Sequence, residues 1–176
     1  MAASLGNMIA GPLGALAFTA GAYFIGGKKN FNRAGSNFNK QQGVYAIGLI
    51  VLAAKLAKAD GQVTSDEIAK FKKIFRIPNS DLKQVAAIWK QAAETSDGFE
   101  IYAEQLYQTF RRSPQMLEQI ILGLFEIGYA DHDLSAPELR YIKKVSNIFK
   151  LDQQTFNRLR NSRPEFVRED PYKVLG

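Results

Sequence analysis

Residues 58–68 read KADGQVTSDEI, and residues 130–139 read ADHDLSAPEL. An Asp, a turn and a closing Glu between apolar stretches have the outline of the back half of a calcium loop. Such a loop draws oxygens from positions 1, 3, 5, 7, 9 and 12 and needs Gly at 6. With Asp60 at position 5 and Gly61 at 6, positions 1 and 3 become Leu56 and Lys58. In the second stretch they are Ile127 and Tyr129, with His132 at the glycine position. Apolar and cationic side chains cannot supply those oxygens, so neither stretch is a loop of that kind. A joint between two helices accounts for the residues better. Gly61 suits the left-handed conformation that closes a helix. Thr64 with Glu67 and Ser135 with Glu138 are S/T-x-x-E capping boxes that open the next helix. Pro137 falls in a first turn, where its missing N–H costs little. Asp60 and Asp131 stand at matching positions, suited to accept from turn amides.

The two joints belong to a longer repeat. Residues 59–75 and 130–146 align at an offset of 71, with Ala, Asp, Glu and a Lys-Lys pair identical. Val63/Leu134, Thr64/Ser135, Ile68/Leu139, Phe71/Ile142 and Ile74/Val145 are conservative. Each copy follows an apolar stretch, so the unit is helix, tight turn, helix. Apolar spacing from Gly43 onward is helical throughout, with no alternating strand pattern. Residues 44–59, VYAIGLIVLAAKLAKA, are apolar around most of the circumference, which predicts a central buried helix. Further helices are expected at 66–75, from Ser80 or Asp81, from 97 with Arg111 and Arg112 in its last turn, from Ser113 and Pro114, and at 135–149 and 152–162. The expected class is an all-α bundle with two pseudo-repeated helix–turn–helix units, over 43–162.

Before this body the composition changes. Residues 1–27 carry no charged side chain, and 5–27 is long enough to cross the hydrocarbon core of a bilayer as helix. Its six glycines and Pro12 suit a membrane span better than a soluble helix. Ala10/Gly14, Ala17/Gly21 and Ala22/Gly26 give small faces on which two spans pack closely, so a homodimer through this segment is expected. Lys28, Lys29, Arg33 and Lys40 follow with no acid among them, in a linker taken to run over 28–42 and to lie at the membrane surface. Bases on the C-terminal side orient a single-pass anchor with the body in the cytoplasm. This strip supplies most of the net charge of +6; beyond it 19 bases nearly balance 17 acids, so nucleic acid is not an expected partner.

The chain has no cysteine and one histidine, which excludes thiolate and multi-histidine metal sites. His132 is expected to face solvent at its turn. No phosphate loop, nucleophile–base set or pair of catalytic carboxylates occurs, so neither an enzyme nor a bound cofactor is expected. The remaining metal candidates are Asp60, Asp66, Glu67, Asp131, Asp133 and Glu138, if the two turns converge on a shared divalent cation.

The pattern helix, ADG, capping box, helix, used twice over 43–162, resembles the TerB-like (tellurite-resistance) helical domain. Acidic residues in that family are suspected of binding cations, which here implies the same six carboxylates. After the linker 163–169 the chain reads DPYKVLG at 170–176. Asp170, Pro171, Tyr172, Leu175 and Gly176 match the opening of a J domain. Anchor, TerB-like body and J-domain start, in that order, resemble the membrane-anchored DnaJ-like co-chaperones of the DjlA type. The resemblance implies a bacterial inner-membrane protein acting on a DnaK-type chaperone through its J domain. The His-Pro-Asp signature of that domain does not occur in these 176 residues. The alternative is a membrane-tethered TerB-like sensor of metal or envelope stress.

Overall fold

The computed structural model describes residues 10–19, 36–59, 61, 65–77, 79–130 and 134–162. They form eight helices and no strand: α1 (Pro12–Thr19), α2 (Ser36–Ala59), α3 (Ser65–Phe75), α4 (Leu82–Ala92), α5 (Glu100–Phe110), α6 (Pro114–Gly128), α7 (Ala136–Ile148) and α8 (Gln153–Asn161).

The expected central helix is α2. Ile47, Val51, Leu52, Ala53, Ala54 and Leu56 are fully buried, with α1, α4, α5, α6 and α7 packed around it. With 47–57 buried throughout, this part of α2 has no face left for water and takes the middle of the bundle. Gln41–Ala59 is also long and apolar enough to cross a membrane, but 72% of that window is buried inside the fold. Around α2, each outer helix turns one stripe inward: Val85, Ile88 and Trp89 of α4; Ala103, Leu106 and Phe110 of α5; Tyr141, Ile142 and Val145 of α7.

The repeat extends further than the sequence alignment. The starts of α3 and α7, Ser65 and Ala136, are separated by the same offset as the starts of the next helices, Leu82 of α4 and Gln153 of α8. α4 packs on α2 as α8 packs on α6, where the Phe125 and Phe156 rings meet at 5.6 Å. α3 and α7 also end alike. Arg76 (φ 48°) and Lys150 (φ 56°) adopt the left-handed conformation, and Ile77 and Leu151 donate back to the carbonyls of Lys72 and Ser146. That is the Schellman ending, here built on cationic side chains in the place usually taken by glycine. The unit is therefore three helices, used twice, with α5 inserted between the copies.

Two expected boundaries change. α2 begins at Ser36, so residues 36–42 of the expected linker, Lys40 included, are helix. Nothing in NFNKQQ breaks a helix, and adding turns to an existing helix costs little once the nucleus exists. α5 ends at Phe110, with Arg111 as its C-cap, so Arg111 and Arg112 follow the helix and do not occupy its last turn. Pro114 explains this: it forces Ser113 out of the helical region, to a ψ of 69°. The chain must leave α5 before reaching that residue.

Of the expected membrane segment 5–27, residues 10–19 are described. α1 is eight residues long, a rise of about 12 Å. It lies on the body, with Leu13 and Leu16 buried against α2, α4 and α5. Lys28, Lys29, Arg33 and the J-domain start Asp170, Pro171, Tyr172, Leu175 and Gly176 lie outside the described residues.

Candidate functional site

The first joint closes α2 as expected: Gly61 has φ +104° and its N–H donates to the Lys58 carbonyl at 3.0 Å. In the second, Ser135 Oγ accepts from the Glu138 N–H at 3.3 Å, and Glu138 Oε2 accepts from the Ser135 N–H at 2.8 Å. The capping box read from the sequence is complete. It also explains why Glu138 is buried, since the carboxylate is turned back onto the start of its own helix. Asp66 and Glu67 are placed in the first turn of α3. Asp60, Asp131, Asp133, His132 and Thr64 lie outside the described residues. Among the described residues, no three His, Cys, Asp or Glu side chains gather as a metal site.

The repeated Lys-Lys pair has a structural role in its first member. Lys72 Nζ donates to Asn79 Oδ1 at 2.9 Å, and Lys143 Nζ donates to Gln153 Oε1 while lying 4.4 Å from the Phe156 ring centre. In both copies this lysine ties the second helix of the unit to the approach or start of the third. Lys73 and Lys144 are exposed.

A site that the turn patterns do not reveal is built around Lys55. This lysine lies in the buried half of α2 and is only 3% exposed. Its Nζ donates to the carbonyls of Thr95 at 2.9 Å and Asp97 at 2.8 Å, and stands 5.7 Å from the Tyr102 ring centre. Both acceptors belong to residues 93–99, the connection from α4 to α5. That connection is shaped by the Asp97 N–H donating to Thr95 Oγ, by Gly98 at φ +71°, and by Phe99 packing on Tyr141 with ring centres 4.5 Å apart. Burial lowers the Lys55 pKa, and the Asp97 and Glu100 carboxylates oppose that shift. A charged donor satisfied by two backbone oxygens holds a loop. Its sequence signal is a lone cation in the otherwise uncharged run 41–57.

The matching position in the second copy is Glu126, where burial raises the carboxyl pKa. The two copies thus carry opposite charges at one place in the repeat. Glu94, Asp97, Glu100 and Glu104, in this loop and the start of α5, are exposed, as is Ile101, which at 53% is the exposed large hydrophobic among the described residues.

On the inner side, the Tyr141 hydroxyl donates to the Leu52 carbonyl at 3.0 Å, joining α7 to α2. Burial, with Glu100 adding to it, pushes this phenol well above its ordinary value. The folded protein keeps the proton at a pH where the unfolded chain releases it. The stabilisation is therefore intact below about pH 10, the unfolded value, and is lost as pH rises from there through the folded value. Tyr141→Phe is expected to cost about 0.5–1.5 kcal/mol at pH 7, the worth of one hydrogen bond. It should also flatten the alkaline decline in urea midpoint between pH 9 and 11; an unchanged decline assigns that slope to other groups.

Comparison with protein families matches the model described as tellurite resistance protein TerB over residues 46–161. The match begins inside α2 and ends on the last residue of α8, so it takes in both three-helix units and leaves α1 outside. Comparison with curated proteins and with solved structures returns no match. The all-helical body, the doubled joint and the extent of this match agree: the chain belongs to the TerB family.

Proposed function

We propose that this chain is the tether and interaction module of a membrane-anchored J-domain co-chaperone. On this reading the uncharged N-terminal segment holds the protein in the bacterial inner membrane as a single-pass anchor and brings two copies together. The TerB body lies on the cytoplasmic side as a regulatory or client-docking module. The J domain that opens at Asp170 stimulates ATP hydrolysis by a DnaK-type partner. The observation that carries the reading is the order of the parts: an uncharged segment, a TerB body at 46–161, and DPYKVLG at 170–176. Lys55, Lys72, Lys143 and Glu138 spend their charge on a loop clamp, inter-helix ties and a cap, which suits a scaffold better than a reaction centre.

The coding sequence provides a direct test. Translation past Gly176 should continue in frame and reach a His-Pro-Asp tripeptide within several dozen residues. A stop codon directly after Gly176 would sink the co-chaperone assignment while leaving the TerB body as described.

A further inference from the structure

α1 belongs to the fold but not to the family match, which starts at residue 46. It occupies a furrow between α2, α4 and α5, buries Leu13 and Leu16 there, and is clamped by one side chain of α5. Gln105 Oε1 accepts from the Leu13 N–H at 2.8 Å, and Gln105 Nε2 donates to the Ala10 carbonyl at 2.6 Å. Leu13 is one of the helix-start residues whose N–H has no partner within the helix, and Pro12 before it has no N–H to satisfy. Gly11, at φ +86°, lets the chain pass so close that a Cβ there would stand 3.0 Å from the Gln105 carboxamide. The clamp is thus fitted to this segment.

The same segment sits within residues 1–27, which carry no charge. A helix crossing a bilayer needs about 20 residues. Any run of that length inside 5–27 contains the whole of 12–19. Leu13 and Leu16 cannot lie in the furrow and in hydrocarbon at once, so docking and insertion exclude each other. We propose that α1 is a releasable latch: the furrow between α2, α4 and α5 is a docking surface for the chain's own N-terminal helix, and it empties when that segment enters a lipid bilayer. This inference rests on the membrane-tether reading above. Its consequence is a body that uncovers an apolar furrow only where a membrane is present.

The test uses the full chain, purified without detergent, and vesicles of phosphatidylcholine and phosphatidylglycerol. Gln105→Ala removes both clamp bonds without altering the inserting segment. It is expected to raise the vesicle-bound fraction at limiting lipid, through a docking equilibrium weakened about fivefold or more. Amide exchange at Leu13 and Leu16 in lipid-free buffer should accelerate by a similar factor, with α6 and α7 amides unchanged. Gln105→Glu keeps an acceptor for Leu13 but loses the donor to Ala10, and should fall between the two; it decides the matter if the alanine variant disturbs the body. Equal, measurable vesicle binding by wild type and both variants overturns the latch and leaves the tether standing. No vesicle binding by any of them overturns both.

Discussion

Lys55→Met is expected to lower the unfolding free energy by about 2–4 kcal/mol, and Lys55→Glu to prevent stable folding. The methionine keeps the length and apolar stem but removes two hydrogen bonds from a charged donor, each worth about 1.5–3 kcal/mol. The loss is partly offset, because an ammonium no longer has to be taken out of water. Thr95 and Asp97 are themselves exposed, so their freed carbonyls regain some water. A glutamate at the same place faces two carbonyl oxygens, Asp97 and Glu100, with no donor to satisfy it. Urea unfolding followed by circular dichroism gives the first number, and amide exchange over 93–99 should show the loop opening ahead of the helices. A methionine variant within about 0.5 kcal/mol of wild type, on the scale of an ordinary surface change, would falsify the clamp.

The pH dependence of this site has the opposite sign to that of Tyr141. Burial lowers the Lys55 pKa below 10.5, so between the folded value and 10.5 the unfolded chain binds more protons. Stability from this group therefore rises with pH across that window. A neutral amine still has two N–H donors for the two carbonyls, so the clamp persists after deprotonation. Comparing wild type with Lys55→Met over pH 8–10.5 isolates the effect, because Tyr141 is present in both.

Gly48→Ala should destabilise the protein by about 1–3 kcal/mol, although alanine favours helix over glycine by about 1 kcal/mol. Gly48 is the place where α2 meets α5. A Cβ there would stand 2.5, 2.8 and 2.9 Å from Cδ2, Cδ1 and Cγ of Leu106. Leu106 is itself fully buried, so it has no solvent side to move toward. In interiors packed like crystals, such an overlap must be relieved by shifting a helix or forcing a strained rotamer. The two positions should also be strongly coupled. Leu106→Ala alone costs about 2–5 kcal/mol, and the double variant should fall short of the sum of the singles by about 1 kcal/mol or more. A Gly48→Ala variant as stable as wild type would mean the helices separate there at no cost, and additive losses would mean the cost does not arise at Leu106.

The residues that can be read in advance are those whose partners lie within a turn or two. Ser135 and Glu138 are three apart, and their capping box is present as the spacing implies. The stretch 44–59 announces a buried helix through composition alone. Lys72 and Lys143 are visible as repeated residues but not as ties, because their acceptors Asn79 and Gln153 lie at different separations in the two copies. The third helix of the repeat leaves little trace, because few residues are shared between α4 and α8. Leu82 matches Gln153 and Trp89 matches Arg160, yet both helices keep an inward stripe, which is all that packing requires.

The sequence by itself determined the helical class, the glycine that closes α2 and the capping box that opens α7, since helical periodicity and caps are settled by neighbours along the chain. The tertiary structure decided that Lys55 clamps the 95–97 backbone, that Gly48 admits Leu106, and that α1 rests on the body under Gln105. The physical reason is common to all three. Each joins groups far apart in the chain, and in each the partner is a backbone group or a volume fitted to one side chain, which leaves no periodic mark in the residues that surround it.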